Sequence, residues 1–250
     1  MLVYKFLLYH LFTEEDLINS FKEELNITYE KLSENVGPGV ARQYILDKTT
    51  SPYICFLDAD DLLYYPETLE EQYKALEDGH ELAVSYVLNE RDNTKVFNGN
   101  DLHAKMFTRD FINKYNIKFP PTRVHEDNVF MSLTIIYCPY TCFIEEIGYL
   151  YCNNNESITS VPDDIEFERL KILIDNTDIV IRQTIKDSCD EFSIKQFIFE
   201  KTKYLSKIYN SSNEDRKITL KKWVSSSLLD ENHLDNTDTK KLKEIIIEVK

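Results

Sequence analysis

Pro52-Tyr53-Ile54-Cys55-Phe56-Leu57-Asp58-Ala59-Asp60-Asp61 is the stretch on which the reading of this chain turns. Apolar and aromatic residues run from Tyr53 to Leu57 and then give way to the carboxylates of Asp58, Asp60 and Asp61. Such a run predicts a strand buried on both faces, as in a parallel sheet. Carboxylates at the C-terminal end of such a strand sit where open α/β sheets bind ligands. Two acids at i and i+2 can share a hard divalent cation, and Mg²⁺ or Mn²⁺ takes oxygen ligands alongside phosphate. The same residues also suit a turn or a helix cap, because Asp side chains accept backbone N–H bonds there.

On the N-terminal side, two of the chain's 5 glycines fall together in Asn35-Val36-Gly37-Pro38-Gly39-Val40-Ala41-Arg42. That is a tight turn feeding a helix over Val40–Lys48, which ends before Ser51-Pro52. On the C-terminal side Pro66 opens a helix through Asp78 with Leu69, Tyr73 and Leu76 on one face and Gly79 as its stop. A strand follows over Leu82–Leu88, then a polar loop over Asn89–Asn100. His103–Phe107 re-enters the fold, Thr108 caps a short helix ending near Tyr115, and Glu126-Asp127 starts a helix carrying Phe130 and Leu133. Acids in a first turn suit the helix dipole. Thr141–Tyr151 reads as another strand. From Asp163 glycine is absent and helical periodicity dominates, with breaks expected near Asn210–Asn213 and Asn232–Asn236.

These elements predict an α/β domain over residues 1–159 and an α-helical module over 160–250. The chain has 250 residues, 42% of them hydrophobic and 12% aromatic, enough for a sizeable core. Its net charge of −15 argues against non-specific grip on nucleic acid or anionic membrane. Cys55, Cys138, Cys142, Cys152 and Cys189 include no CxxC pair, which reads as reduced thiols in a cytoplasmic compartment. The apolar start, Met1–Phe12, lacks a signal-peptide cleavage pattern, and no run approaches the roughly 20 apolar residues of a membrane span.

Read in order, these motifs resemble family 2 glycosyltransferases with the GT-A fold, over about Asn35–Thr159. Asn35-x-Gly37-x-Gly39-x-Ala41-Arg42 resembles the family's turn and helix beside the nucleotide. Tyr53 to Asp61 looks like its DxD element, and His103-Ala104-Lys105-Met106-Phe107 resembles the acceptor-side stretch. Glu126-Asp127-Asn128-Val129-Phe130 looks like the element that supplies the base, and Tyr151 through Ser157-Ile158-Thr159 resembles the loop over the donor. The family's opening strand and its second strand ending in Asp are not recognisable before Asn35. Either the chain is shortened at its start or its nucleotide pocket is built differently, with Met1–Leu11 as a remnant strand, Thr13–Leu25 helical and Ile27–Tyr29 a short strand.

The resemblance implies a GT-A-like (Rossmann-like) mixed sheet with flanking helices and a transferase that moves a sugar from a nucleotide-sugar donor, UDP-linked, to an acceptor hydroxyl. It implies Mn²⁺ or Mg²⁺ held by Asp60, with Asp58 on the ribose or in the metal shell, to neutralise charge on the departing diphosphate. Asp127 would take the acceptor proton as general base, with Glu126 as fallback, in an inverting displacement. Arg42, Lys105, His103, Arg123 and Ser157 complete the donor-side candidates. The acceptor could be a carbohydrate, a wall polymer, a lipid or a protein, with nucleic acid disfavoured by the charge.

Two other readings compete. A catalytically inactive relative would bind a sugar or partner without turnover. A haloacid-dehalogenase-type phosphatase also places Asp-x-Asp after an apolar strand, with the first Asp as nucleophile beside Mg²⁺. Here, however, no later Asp pair follows a suitable strand.

Overall fold

The structure is a computed structural model that describes residues 5–8, 26–30, 32, 34–97, 99–137, 139–153 and 162–227. The chain divides into two compact units, Met1–Arg123 with Pro139–Ser157, and Val124–Cys138 with Ile158–Lys250. The helix that starts at Glu126 thus groups with the C-terminal helices, whereas the sequence placed it in the first domain.

In the first unit, β1 (Lys5–Leu8) and β2 (Asn26–Tyr29) pair in parallel as a small separate sheet. Both fall where remnant strands were expected; the helix expected over Thr13–Leu25 lies outside the described residues. Next come α1 (Pro38–Lys48), β3 (Tyr53–Cys55), β4 (Leu62–Leu63), α2 (Thr68–Glu77), β5 (Leu82–Asn89), β6 (Thr94–Val96), β7 (Lys105–Thr108) and α3 (Arg109–Lys114). After α4 (Glu126–Tyr137), which belongs to the second unit, the long strand β8 (Thr141–Tyr151) returns to the first. The main sheet has the order β3-β7-β5-β8-β4, with β6 pairing β5. Only β5 and β8 run parallel; the other pairs are antiparallel. This is the expected mixed α/β sheet with flanking helices.

One expectation about β3 is corrected. Among the described residues it is the end strand of the main sheet, antiparallel to β7, and within Tyr53–Leu57 only Ile54 is buried while Cys55 and Leu57 are exposed. Burial alternates along the run, with Ile54 and Phe56 covered and Cys55 and Leu57 exposed, so Tyr53–Leu57 is covered on one face rather than on both.

Helix α2 packs Leu69, Ala75 and Leu76 against Ala83 of β5 and Met106 of β7. Alternation along β7 then turns Phe107 to the opposite face, where it is fully buried and Phe56 meets it and Phe119 edge-on. Two glycines are dictated by close approach. At Gly37 the backbone takes φ 82°, and a Cβ would lie 2.9 Å from Arg123 Cγ. Pro38 then occupies the first turn of α1, two residues ahead of the expected start. At Gly148 a Cβ would lie 2.7 Å from Ser85 Cβ, just where the β5–β8 register shifts. That tight crossing lets the Gly148 carbonyl accept the Tyr64 N–H at 3.1 Å, which lays β4 across the end of β8.

Strand β6 was missed in the sequence, where Asn89–Asn100 read as loop. Its residues are all exposed, so no hydrophobic alternation announces it. The turn chemistry holds it instead. Asp92 Oδ1 accepts from the Thr94 N–H and hydroxyl, and Asn93 takes φ 54°.

The second unit is helical: α4, α5 (Asp163–Lys186), α6 (Glu191–Ser211) and α7 (Glu214–Ser225). Phe167, Leu170, Ile174 and Ile181 of α5 share a core with Ile194, Ile198 and Leu205 of α6 and Leu220 and Val224 of α7. Their spacing of three and four residues is the apolar stripe read from the sequence. Asp190 and Asn213 cap α6 and α7 by accepting from the Ser193 and Arg216 N–H groups. The break at Asn213 was expected; the one at Ser188, with φ 55°, was not. The Asn232–Asn236 break lies outside the described residues. Among the described residues no helix is long and apolar enough to cross a membrane.

Candidate active site

The acids that end β3 are positioned by residues far away in the chain. Arg109, at the first turn of α3, donates to the carbonyls of Ser51 (2.6 Å) and Leu46 (3.1 Å) and to Thr49 Oγ1 (2.6 Å). It thereby caps the C-terminus of α1 and ties that helix to the entry of β3. With α1 so fixed, Arg42 Nη2 reaches Asp58 Oδ1 at 2.7 Å. His103 Nε2 lies 3.2 Å from the other oxygen, Oδ2. The Asp58 backbone N–H donates to the Tyr149 hydroxyl at 3.3 Å, and that hydroxyl donates to Asp61 Oδ2 at 2.7 Å. The Cys152 N–H supplies Asp61 Oδ1 at 2.8 Å. The His103 ring stacks on Tyr149 at 4.8 Å.

This network sets the charges. Burial opposes ionisation of Asp58, but the His103 hydrogen bond and the Arg42 charge outweigh it and hold the carboxyl well below the usual range. Burial likewise works against a charged His103, yet Asp58 pushes its pKa up. Asp61 goes the other way: burial raises its pKa against the bonds from Tyr149 and Cys152.

The expected metal acids were Asp60 and Asp58. The structure gathers Asp58, Asp61 and His103 instead, each with a potential ligand atom within 4.8 Å of the others, while Asp60 is exposed. In the present arrangement each of the four oxygens of Asp58 and Asp61 has a hydrogen-bonding partner in the protein. Each oxygen nevertheless keeps a second lone pair, so the hard-oxygen chemistry of the site fits a divalent ion, with Asp60 the carboxylate that faces solvent.

Other expected residues find different surroundings. Lys105 is 3% exposed, and its ammonium donates to the carbonyls of Asp101 (2.5 Å) and His103 (3.3 Å). Burial lowers its pKa to about 8. The side chain staples the loop that carries His103. Arg123 donates to the Asn35 carbonyl at 2.7 Å and packs on Gly37, bracing the turn into α1. Ser157 lies outside the described residues.

Glu126 and Asp127 open α4 in the second unit. Glu126 is buried at 5% exposure and Asp127 is only half-buried, so Asp127 is the acid within reach of solvent. Its Oδ1 accepts from the Asn128 backbone N–H at 2.8 Å and from Asn128 Nδ2 at 3.3 Å. Sequence reasoning passed over Tyr149, Asp61, Arg109 and Asn128. For Tyr149 no local signal exists, since it stands 91 residues from Asp58.

Comparison with known proteins adds the family. The model of glycosyl transferase family 2 matches residues 13–136, which begins ahead of Asn35 and ends within α4. No curated protein matches the chain. Among solved structures, Staphylococcus aureus TarS 1–349 in complex with UDP-GlcNAc superposes with a TM-score of 0.71 at 13% identity, covering 94% of this chain and 76% of that one. The same fragment in complex with UDP gives 0.69 at 11% identity over 94% and 75%. TarS itself gives 0.52 at 12% identity over 94% and 47%. At such identities the superpositions show a shared fold, that of the GT-A transferases. The family match spans both the acids that end β3 and the acid pair that opens α4, and the chain belongs, through residues 13–136, to glycosyl transferase family 2.

Proposed function

We propose that this glycosyltransferase transfers a sugar from a UDP-linked donor to an acceptor hydroxyl, with a divalent ion and with inversion. The observation that carries the reading is Asp58, kept ionised by His103 and Arg42 despite burial, next to the exposed Asp60 in a family 2 domain. The solved TarS fragments hold UDP-GlcNAc and UDP, which supports a UDP-linked donor. The phosphatase alternative loses its ground, because a carboxylate clamped by Arg42 and His103 is a poor nucleophile and the fold is that of a transferase.

Asp60 is the ligand we assign to Mn²⁺ or Mg²⁺, with Asp58 contributing a remaining lone pair or holding the ribose. When bound, the ion would neutralise charge on the leaving diphosphate. Arg42 orients Asp58 and adds positive charge on that side, while His103 holds the second oxygen. Asp127 takes the proton from the acceptor hydroxyl as that oxygen attacks the anomeric carbon opposite the departing diphosphate. Glu126, buried, is the fallback base. Lys105 and Arg123 act on the donor side through the loop and the turn they brace, and Ser157 remains a donor-loop candidate. The acceptor class is a carbohydrate, wall polymer, lipid or protein hydroxyl. Cys55, Cys142, Cys152 and Cys189 are free thiols, which supports a reducing, cytoplasmic setting.

Calorimetric titration with UDP and UDP-GlcNAc, with and without Mn²⁺, tests the reading. Binding that requires the metal is expected. A second reading, a binding protein without turnover, is favoured by the closed hydrogen bonding of Asp58 and Asp61. Absence of all nucleotide binding in a folded sample would defeat the transferase reading and leave that one standing.

A further inference from the structure

The C-terminal helices have been left without a chemical task, yet two of them grip the turn that carries Asp127. His125, just before α4, is held at φ 60°, a backbone conformation that is strained for a residue with a side chain. Its carbonyl accepts from Asn176 Nδ2 of α5 at 3.0 Å, and Asn176 is 2% exposed. From α6, Lys201 brings its ammonium to Asn128 Oδ1 at 3.4 Å. The other end of that amide, Nδ2, is the group that donates to Asp127 Oδ1. The chain of contacts therefore runs from Lys201 through Asn128 to Asp127.

Two further observations show that this arrangement is not a generic helix contact. Lys201 is largely withdrawn from water, and burial lowers its pKa while the charge of Asp127 works against that shift. Its ammonium lies 5.4 Å from the centre of the Phe197 ring and, among the described residues, has no carboxylate in contact, so Asn128 Oδ1 is its hydrogen-bonding partner. Among the described residues the buried His125 Nε2 has no hydrogen-bond partner, so the turn is not held through that ring nitrogen. The crevice lined by Asn128, Ser132, Thr177, Phe197 and Lys201 has no room even for a water molecule, so Lys201 is not there to hold a substrate.

We propose that Lys201 is a positioning residue for the transfer reaction. By orienting the Asn128 amide, it adds a second hydrogen bond to Oδ1 of Asp127 beside that of the Asn128 backbone N–H, and so presents Oδ2 to the acceptor hydroxyl. The helical module thus contributes to the reaction through one side chain, with Asn176 holding the turn in shape. The inference rests on Asp127 being the base. The charged groups that bear on this turn are His125 beside it, Glu166 and Arg169 of α5, and Lys201 of α6.

The test uses the full chain with UDP-GlcNAc and Mn²⁺, reading UDP release against donor concentration, for Lys201→Met, Lys201→Arg, Asn128→Ala and Asp127→Asn. Lys201→Met is expected to lower kcat by about 10-fold to 100-fold, the scale of a displaced reacting group. Donor KM should stay within about twofold, because the residue does not touch donor. Lys201→Arg should recover most of the loss, and Asn128→Ala should reproduce the defect. Thermal stability of Lys201→Met should hold or rise, because an apolar side chain replaces a buried charge.

Wild-type kcat in Lys201→Met, with Asp127→Asn inactive, would overturn this inference and spare the base. An active Asp127→Asn would overturn the base assignment itself. A crystal structure of Lys201→Met gives a readout that does not depend on turnover. The Asn128 side-chain amide should turn away from Asp127 Oδ1, leaving the backbone N–H bond alone, and an unchanged amide would overturn the proposal.

Discussion

Asp58 and Asp127 are both acids at the start of a turn, and the molecule treats them differently. Asp58 draws its partners from across the first unit: Arg42 from α1, His103 from the loop before β7, Tyr149 from β8. Asp127 is anchored by its own neighbour, Asn128, and keeps one side toward solvent. The first arrangement suits a group whose charge must be constant, because Arg42 and His103 together hold the carboxylate ionised while Tyr149 fixes its backbone. The second suits a group that must gain and lose a proton, because little else competes for it. Each of the following measurements breaks or sharpens that contrast.

Asp127→Asn should have the largest effect, a loss of about 10²-fold to 10⁴-fold in turnover, the usual worth of a positioned base. Donor affinity by calorimetry should be unchanged. A variant that loses donor binding and turnover together would mean that Asp127 binds rather than abstracts, and the contrast would collapse.

Asp60→Ala comes next. Loss of a metal-holding carboxylate should weaken metal-dependent UDP binding by about 10-fold to 100-fold. Binding without metal, if any, should stay as it was. Equal binding by variant and wild type at every Mn²⁺ concentration would move the ion from Asp60 to the Asp58, Asp61 and His103 group.

How much of this was legible in the sequence follows the same division. The Asp127 turn was readable because its meaning is local: two acids at a helix start, followed by an apolar face at Phe130 and Leu133. Thr108 was readable for the same reason, since its hydroxyl caps α3 by accepting from the Phe111 N–H. The surroundings of Asp58 were not. Tyr149 looks like any aromatic in a strand, and Arg109 like any surface charge, until the fold brings them to Asp58 and to the end of α1. The edge position of β3 was misjudged because an apolar run reports burial without saying how many strands lie beside it. The Asp61 side chain was passed over because spacing alone does not tell which of three neighbouring carboxylates turns inward.

Arg42→Met should cost stability, where Asn128→Ala should cost little. Removing one partner of a fully buried ion pair costs about 3–5 kcal/mol, but Asp58 retains a third of its exposure and its His103 contact, so about 1–2 kcal/mol is expected. Chemical denaturation of the two variants side by side gives the comparison. Equal costs would mean that the Asp58 network is no more structural than the Asp127 anchor.

The smallest effect is a pH dependence. The pKa of His103 is raised in the folded state, against burial, by the hydrogen bond and charge of Asp58. Its contribution is therefore complete below the unfolded value of about 6.5 and fades as pH rises through the higher folded value. Asp58 has the opposite sign: held low, it contributes above the unfolded carboxyl range and loses that contribution only in acid. Between pH 5.5 and 6.5 both are present, and on going to pH 8.5 only the His103 part is lost, so wild type should lose up to about 1 kcal/mol that His103→Phe does not lose. Phenylalanine keeps the ring over Tyr149, which leaves the stacking in place while removing the titrating group. If the two proteins lose stability in parallel over that range, His103 is neutral beside Asp58, and Arg42 alone holds the carboxylate charged.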